Sequence, residues 1–163
     1  KEGILMANVY ERMKELGISL PKPGPAGGIY TPVVEFGANL LYCSGCGPDL
    51  HDGTPVRLGT LGSAVTLEEG QAAARNCMLN LLANLEAQIK DLNKIKRFVK
   101  VLAFVASDDT FSMQPQVVNG GSQLLADLFG DTAGKPARSA IGVNVLPGNI
   151  PVEIEMLVEL KDD

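Results

Sequence analysis

Tryptophan is absent, and only three Tyr and five Phe are spread over 163 residues, so any core built from this chain is aliphatic. A single His rules out a His pair for acid–base chemistry or a multi-His metal site. Three Cys, an odd number without disulfide-framework spacing, point to a reducing, cytoplasmic setting. No apolar run approaches the ~18 residues expected of a membrane-spanning helix, and no signal-peptide pattern is visible, so no membrane is expected as a partner. Cations are outnumbered, 14 Lys and Arg against 19 Asp and Glu, for a net charge of −5. A nucleic-acid surface needs clustered cations to offset phosphates, so nucleic acid is not an expected partner either. The densest basic stretch, Lys90, Lys94, Lys96, Arg97 and Lys100, reads as the solvated end of a helix and the strand that follows.

What is present fits one domain with a substantial core, 45% of residues being hydrophobic. Asn8 to Leu16 places Val9, Met13 and Leu16 on one helical face, with Asn8 as N-cap and Gly17 as stop. Leu20 to Gly28 is a Pro- and Gly-rich lead-in. The expected division is therefore 1–28 as leading helix and lead-in, and 29–163 as the main domain. Ile29 to Phe36 and Leu40 to Cys46 read as a hairpin across Gly37-Ala38-Asn39. Gly47 to Gly62 reads as an exposed loop with a short strand near Val56 to Leu58.

Thr66-Leu67-Glu68-Glu69 is a capping box, opening a helix to about Ile89 whose Ala72, Leu79, Leu82, Leu85 and Ile89 form one apolar stripe. Ile95 to Ala106 is dense enough in apolar residues for a central strand. Pro115 suits the first turn of a second long helix, closed at Phe129-Gly130. The order, β-β-α-β-α-β-β after a short helix, predicts an α+β fold: a mixed sheet with two long helices packed on one face.

The last 30 residues are the richest in chemistry. Ala140 to Val145 and Val152 to Leu160 read as two strands joined by a Pro147-Gly148-Asn149 turn. In the second, Val152, Ile154, Met156 and Val158 alternate with Glu153, Glu155, Leu157 and Glu159, the period of a strand with one buried face. Arg138 opens the first strand, and an Arg fork suits a planar carboxylate held by two parallel hydrogen bonds. Glu153, at the start of the second, suits holding or activating a water.

Pro136-Ala137-Arg138-Ser139, then Leu146-Pro147, then Val152-Glu153-Ile154-Glu155, resembles the RidA family, also called YjgF or L-PSP endoribonuclease-like. Tyr42-Cys43-Ser44-Gly45 is similar to that family's Y-x-S-G strand end, and Glu68 to Asn76 with Asn80 to Leu85 to its first long helix. Asn119 with Phe129-Gly130 is similar to its second, so the resemblance covers roughly residues 29 to 160. It implies a chorismate-mutase-like fold, a homotrimer with three intersubunit clefts, and a small carboxylate-bearing metabolite as partner. The implied activity is hydrolysis of reactive 2-imino or enamine acids to 2-keto acids and ammonia. Arg138 then grips the substrate carboxylate and Glu153 positions a water, while Glu155 is structural or interfacial. Tyr30, Asn119 and Ser44 line the cleft. No metal or organic cofactor is implied, because an imine is already electrophilic.

Two positions depart from the deaminase pattern: Ala140 stands where many members carry Cys, and Cys46 where Gln is common. They favour a second reading, a non-catalytic binder of small carboxylates on the same fold. A third, RNA cleavage, follows from one family name and is opposed by the acidic charge. Other short motifs carry little. Cys43-Ser44-Gly45-Cys46 is formally C-x-x-C but ends a strand rather than opening a helix. His51 stands alone in a loop without a G-x-S-x-G nucleophile. Gly59 to Ser63 is Gly-rich but lacks the Lys of a phosphate-binding loop.

Overall fold

A computed structural model describes residues 8–162. Helix α1, Val9–Glu15, is capped by the Asn8 side chain, which accepts from the Tyr10 N–H. Its buried Val9 and Met13 join the main core. The Asn93 side chain accepts from the Val9 N–H at 3.0 Å, and Arg12 Nε donates to the Asp127 carbonyl at 3.0 Å. The leading helix is thus fastened to the domain by both apolar and polar contacts.

Strands β1 (Val33–Phe36), β2 (Leu40–Cys46), β3 (Ile95–Ala106), β4 (Ala137–Val143) and β5 (Val152–Leu160) form one sheet in the order β1-β2-β5-β3-β4. Only the β3–β4 pair is parallel. Helices α2 (Leu67–Ile89) and α3 (Gln114–Gly134) pack against each other and cover one face, which is the expected α+β arrangement. Among the described residues no helix is long and apolar enough to cross a membrane.

Local chemistry accounts for most boundaries. The Thr66 hydroxyl accepts from the Glu69 N–H at 3.2 Å while Glu69 accepts from the Thr66 N–H at 2.9 Å, so α2 begins at its capping box. It ends at Lys90, in the left-handed region at φ 68°. In β5, Val152, Ile154, Met156 and Val158 are buried under the helices, each such side chain contributing about 1.5–3 kcal/mol. Phe98 and Phe129 meet edge to face, ring centroids 4.9 Å apart.

Several expectations are corrected. The first strand begins at Val33, not Ile29, because Pro32 has no N–H to donate and the fully exposed Ile29 has no sheet neighbour to pack against. No strand forms near Val56 to Leu58; the 47–66 loop instead meets the end of β3 at fully buried Leu61, which bridges to Ser107 and donates its N–H to the Ala106 carbonyl at 2.8 Å. The long run of α3 ends at Gly130, as expected: that glycine is non-helical at φ 72° and ψ 179°, and what extends beyond it is one further helical turn, to Gly134. Strand β4 spans Ala137–Val143 rather than 140–145. The two C-terminal strands are joined by the expected turn, and β3 lies between them in the sheet.

Among the described residues no helix covers the opposite sheet face. Val34, Phe36, Tyr42 and Ile141 are each more than 40% exposed there, beside half-buried Leu102, Phe104 and Leu157. It is an apolar surface larger than scattered exposed residues would make.

Candidate functional site

Arg138 is paired with Val101 across the parallel β3–β4 ladder and so points to the helix-covered face. The N-terminal half of α3 meets it there. Arg138 Nη1 donates to the Asn119 side-chain oxygen at 2.9 Å and to the Ser122 hydroxyl at 3.0 Å, and Nη2 donates to the Pro115 carbonyl at 3.3 Å. A guanidinium has five N–H groups. Three are occupied, leaving Nε–H and one Nη2–H, enough for one carboxylate fork. Among the described residues no acid lies within ion-pair distance of Arg138. It lines a cavity of about 410 Å³ with Asn119, Ser122, Gln123, Lys135 and Pro136.

Close helix packing sets this geometry. A Cβ on Gly120 would lie 2.0 Å from the Gln71 carbonyl oxygen, and one on Gly121 2.8 Å from that of Ala74. Two glycines therefore bring the backbones of α3 and α2 into contact. Asn119 and Ser122, the residues flanking them, are the ones that hold Arg138.

Glu153 is on the other face of the sheet. It pairs with Phe104 across β3–β5, and its carboxylate lies against Gly45, where a Cβ would come 2.2 Å from Oε1. Burial, and then the Glu155 carboxylate, push its pKa above the ordinary Glu value. Glu155 itself accepts a hydrogen bond from the Tyr42 hydroxyl at 2.6 Å. Tyr30 and Ser44 share a cavity of about 200 Å³ with Gly45, Cys46, His51, Asn80 and Asn84. The Tyr30 hydroxyl accepts from the Gly27 N–H at 3.0 Å, and Ser44 donates to the Thr31 carbonyl at 2.7 Å. Buried Asn80 donates to the Gly47 and Asp49 carbonyls at 2.9 and 2.7 Å, fastening the floor of that cavity to α2.

The candidate residues thus fall into two groups. Arg138 and Asn119 come together on the helix face of β4. Tyr30, Ser44 and Glu153 cluster around Gly45, and β3 separates their strands from β4. Sequence reasoning missed Ser122, although its i+3 spacing from Asn119 was a usable signal. It also missed His51, Asn80 and Asn84 as cavity walls; their contacts with residues 24–49 carry no local pattern.

The native pKa of Glu153 has a measurable consequence. A carboxyl with a raised native pKa favours folding fully below the unfolded Glu value of about 4.3, and that contribution is lost as pH rises through the native pKa. Glu153→Gln mimics the neutral form. It should unfold at higher temperature than wild type near neutral pH, and at the same temperature in mild acid; a Glu153→Gln protein no more stable at neutrality would show that the carboxylate ionises freely.

The thiols are poor redox groups. Burial pushes Cys46 up to about 11, against the lowering effect of the Asn84 amide, and raises Cys43 and Cys77 further. Iodoacetamide near neutral pH is expected to leave the native protein unlabelled and to modify all three Cys after denaturation; mass spectrometry reads both. Among the described residues no group of three His, Cys, Asp or Glu could hold a metal ion.

Comparison with known proteins agrees with this fold. Residues 10–160 match the family described as "YjgF/chorismate mutase-like, putative endoribonuclease". Protein TCP17 of Trypanosoma cruzi is 38% identical over 159 residues, 98% of each chain. The crystal structure of Agrobacterium tumefaciens Atu1372, whose function is unknown, is 38% identical with a TM-score of 0.82, over 93% of this chain and 91% of that one. A Shewanella oneidensis protein described as "a putative endoribonuclease" is 30% identical with a TM-score of 0.88, over 94% and 99%. The match over residues 10–160 spans the mixed sheet and both long helices, and the chain belongs to the YjgF family, also called RidA.

Proposed function

We propose that the chain hydrolyses 2-imino or enamine acids to 2-keto acids and ammonia, at a cleft that two copies complete in a homotrimer. The observation that carries this reading is Arg138: it is oriented by three neutral acceptors, lacks an acidic partner among the described residues, and keeps two donors for a carboxylate. Its separation from Glu153 by β3 supports a site in which one copy supplies Arg138 and Asn119 and its neighbour supplies Glu153, Tyr30 and Ser44. The apolar, helix-free sheet face supports the trimer, since covering it removes several half-exposed aliphatic and aromatic side chains from water.

The chemistry follows from these groups. Arg138 holds the substrate carboxylate. Glu153, whose pKa is raised toward the range of a useful base, takes a proton from water as its oxygen bonds to the imine carbon. The C=N electron pair moves to nitrogen, which takes the proton back from Glu153. Glu153 then carries the carbinolamine hydroxyl proton to that nitrogen, and the C–N bond breaks as the carbonyl forms, releasing ammonia. Ammonia release from freshly generated 2-imino acids tests the proposal. Turnover above buffer is expected; none across several side chains would leave the non-catalytic binder, which Ala140 and the inward-facing Cys46 thiol favour by offering no polar group to the substrate. Salt-dependent RNA cleavage in the same preparation would overturn both.

A further inference from the structure

We propose that the substrate of this site is a dicarboxylic 2-imino acid, whose second carboxylate is held by Lys135; the inference rests on the reading of Arg138 given above. The 410 Å³ cavity beside Arg138 has an unusual wall for a chain of net charge −5. Its lining holds two cations, Lys135 and Arg138, three neutral polar side chains, Asn119, Ser122 and Gln123, and no acid. Such a concave, cationic wall concentrates field on a dianion.

The backbone that puts Lys135 there is specific. Gly130 at φ 72° breaks the axis of α3. Gly134 then approaches the helix so closely that a Cβ would sit 2.3 Å from the Leu125 carbonyl oxygen. Together they turn the chain so that Lys135 and Pro136 line the same cavity as Asn119, Ser122 and Gln123. The present partner of Lys135 is Asp131, at 2.7 Å in a pair exposed on both sides, which competes weakly with a ligand. The Gln123 amide nitrogen is engaged by Asp127 at 2.8 Å. The cavity lies in the size range of small-molecule sites, with room for a five-carbon diacid.

The experiment compares binding of 2-oxoglutarate and 2-oxobutyrate, stable keto-acid products of the two substrate classes, to the full chain by calorimetry. 2-Oxoglutarate is expected to bind about tenfold tighter at low salt, an advantage that shrinks at high ionic strength and that Lys135→Met abolishes. Equal or weaker binding of 2-oxoglutarate while 2-oxobutyrate binds, or a preference that survives Lys135→Met, would overturn the dicarboxylate assignment and leave the site reading intact. If neither keto acid binds, the site reading itself fails, and this inference with it.

Discussion

Arg138→Ala is expected to lower kcat/KM for 2-imino acids by about 100-fold or more, the equivalent of losing a charge-assisted fork worth up to about 3 kcal/mol. The loss should exceed that of a simple truncation, because Asn119 and Ser122 would be left facing each other without the cation that joins them. The variant should stay folded, since Arg138 lies on the edge strand β4 and is only half-buried. Glu153→Gln should be equally inactive for a different reason, the loss of the base. The two defects should then complement each other. If each cleft takes Arg138 from one copy and Glu153 from the next around a closed ring, random hybrids of the two dead variants regain about a quarter of the wild-type sites. Co-refolded mixtures that recover no activity would place both residues in the same subunit's cleft, contrary to the shared cleft proposed above.

Gly120→Ala is expected to be the most damaging small substitution in the chain. Its Cβ would lie 2.0 Å from the Gln71 carbonyl oxygen, 2.7 Å from the carbonyl carbon and 2.9 Å from the Cα, all backbone atoms that no rotamer change can move. Helices α2 and α3 would have to separate, and over-packing of this kind costs about 3 kcal/mol. For a domain of this size the thermal midpoint should fall by about 6–12 °C. Activity should fall in the surviving native fraction as well, because the glycine sits between the two side chains that orient Arg138. A midpoint equal to wild type would mean that the helices can part without loss, and that their close approach is not what positions Asn119.

Where local chemistry decides the outcome, the amino-acid order was a good guide. The Thr66–Glu69 box, the alternation from Val152 to Glu159 and the Asn8 cap each state a boundary in a few adjacent residues, and α2, β5 and α1 begin where those patterns do. The α+β architecture was legible for the same reason. Other features depend on residues far apart in the chain. Nothing in Pro147-Gly148-Asn149 says that the strands on either side will be held apart by β3. Gly130 reads as a helix stop and does break the helix, but nothing near it in the sequence announces the further turn that runs to Gly134. The candidate site was legible in its residue types, through Arg138 and Glu153, but not in its division. That two residues 15 positions apart face opposite sides of one sheet depends on pairings with Val101 and Phe104, which only the folded chain reveals.

The strand order has a consequence for biosynthesis. β5, the last of the five strands to leave the ribosome, is the one that sits in the middle of the sheet, bonded to β2 on one side and β3 on the other. Until it emerges, the β1–β2 hairpin and the β3–β4 pair have no shared ladder, and the apolar undersides of both helices have only part of their floor. Nascent chains should therefore remain uncommitted, with exposed strand edges, until Leu160 has emerged, and then close in a single step. A truncation that removes Val152 to Leu160 would take away the keystone rather than an end, and should leave two hairpin-sized fragments of sheet instead of a slightly smaller domain.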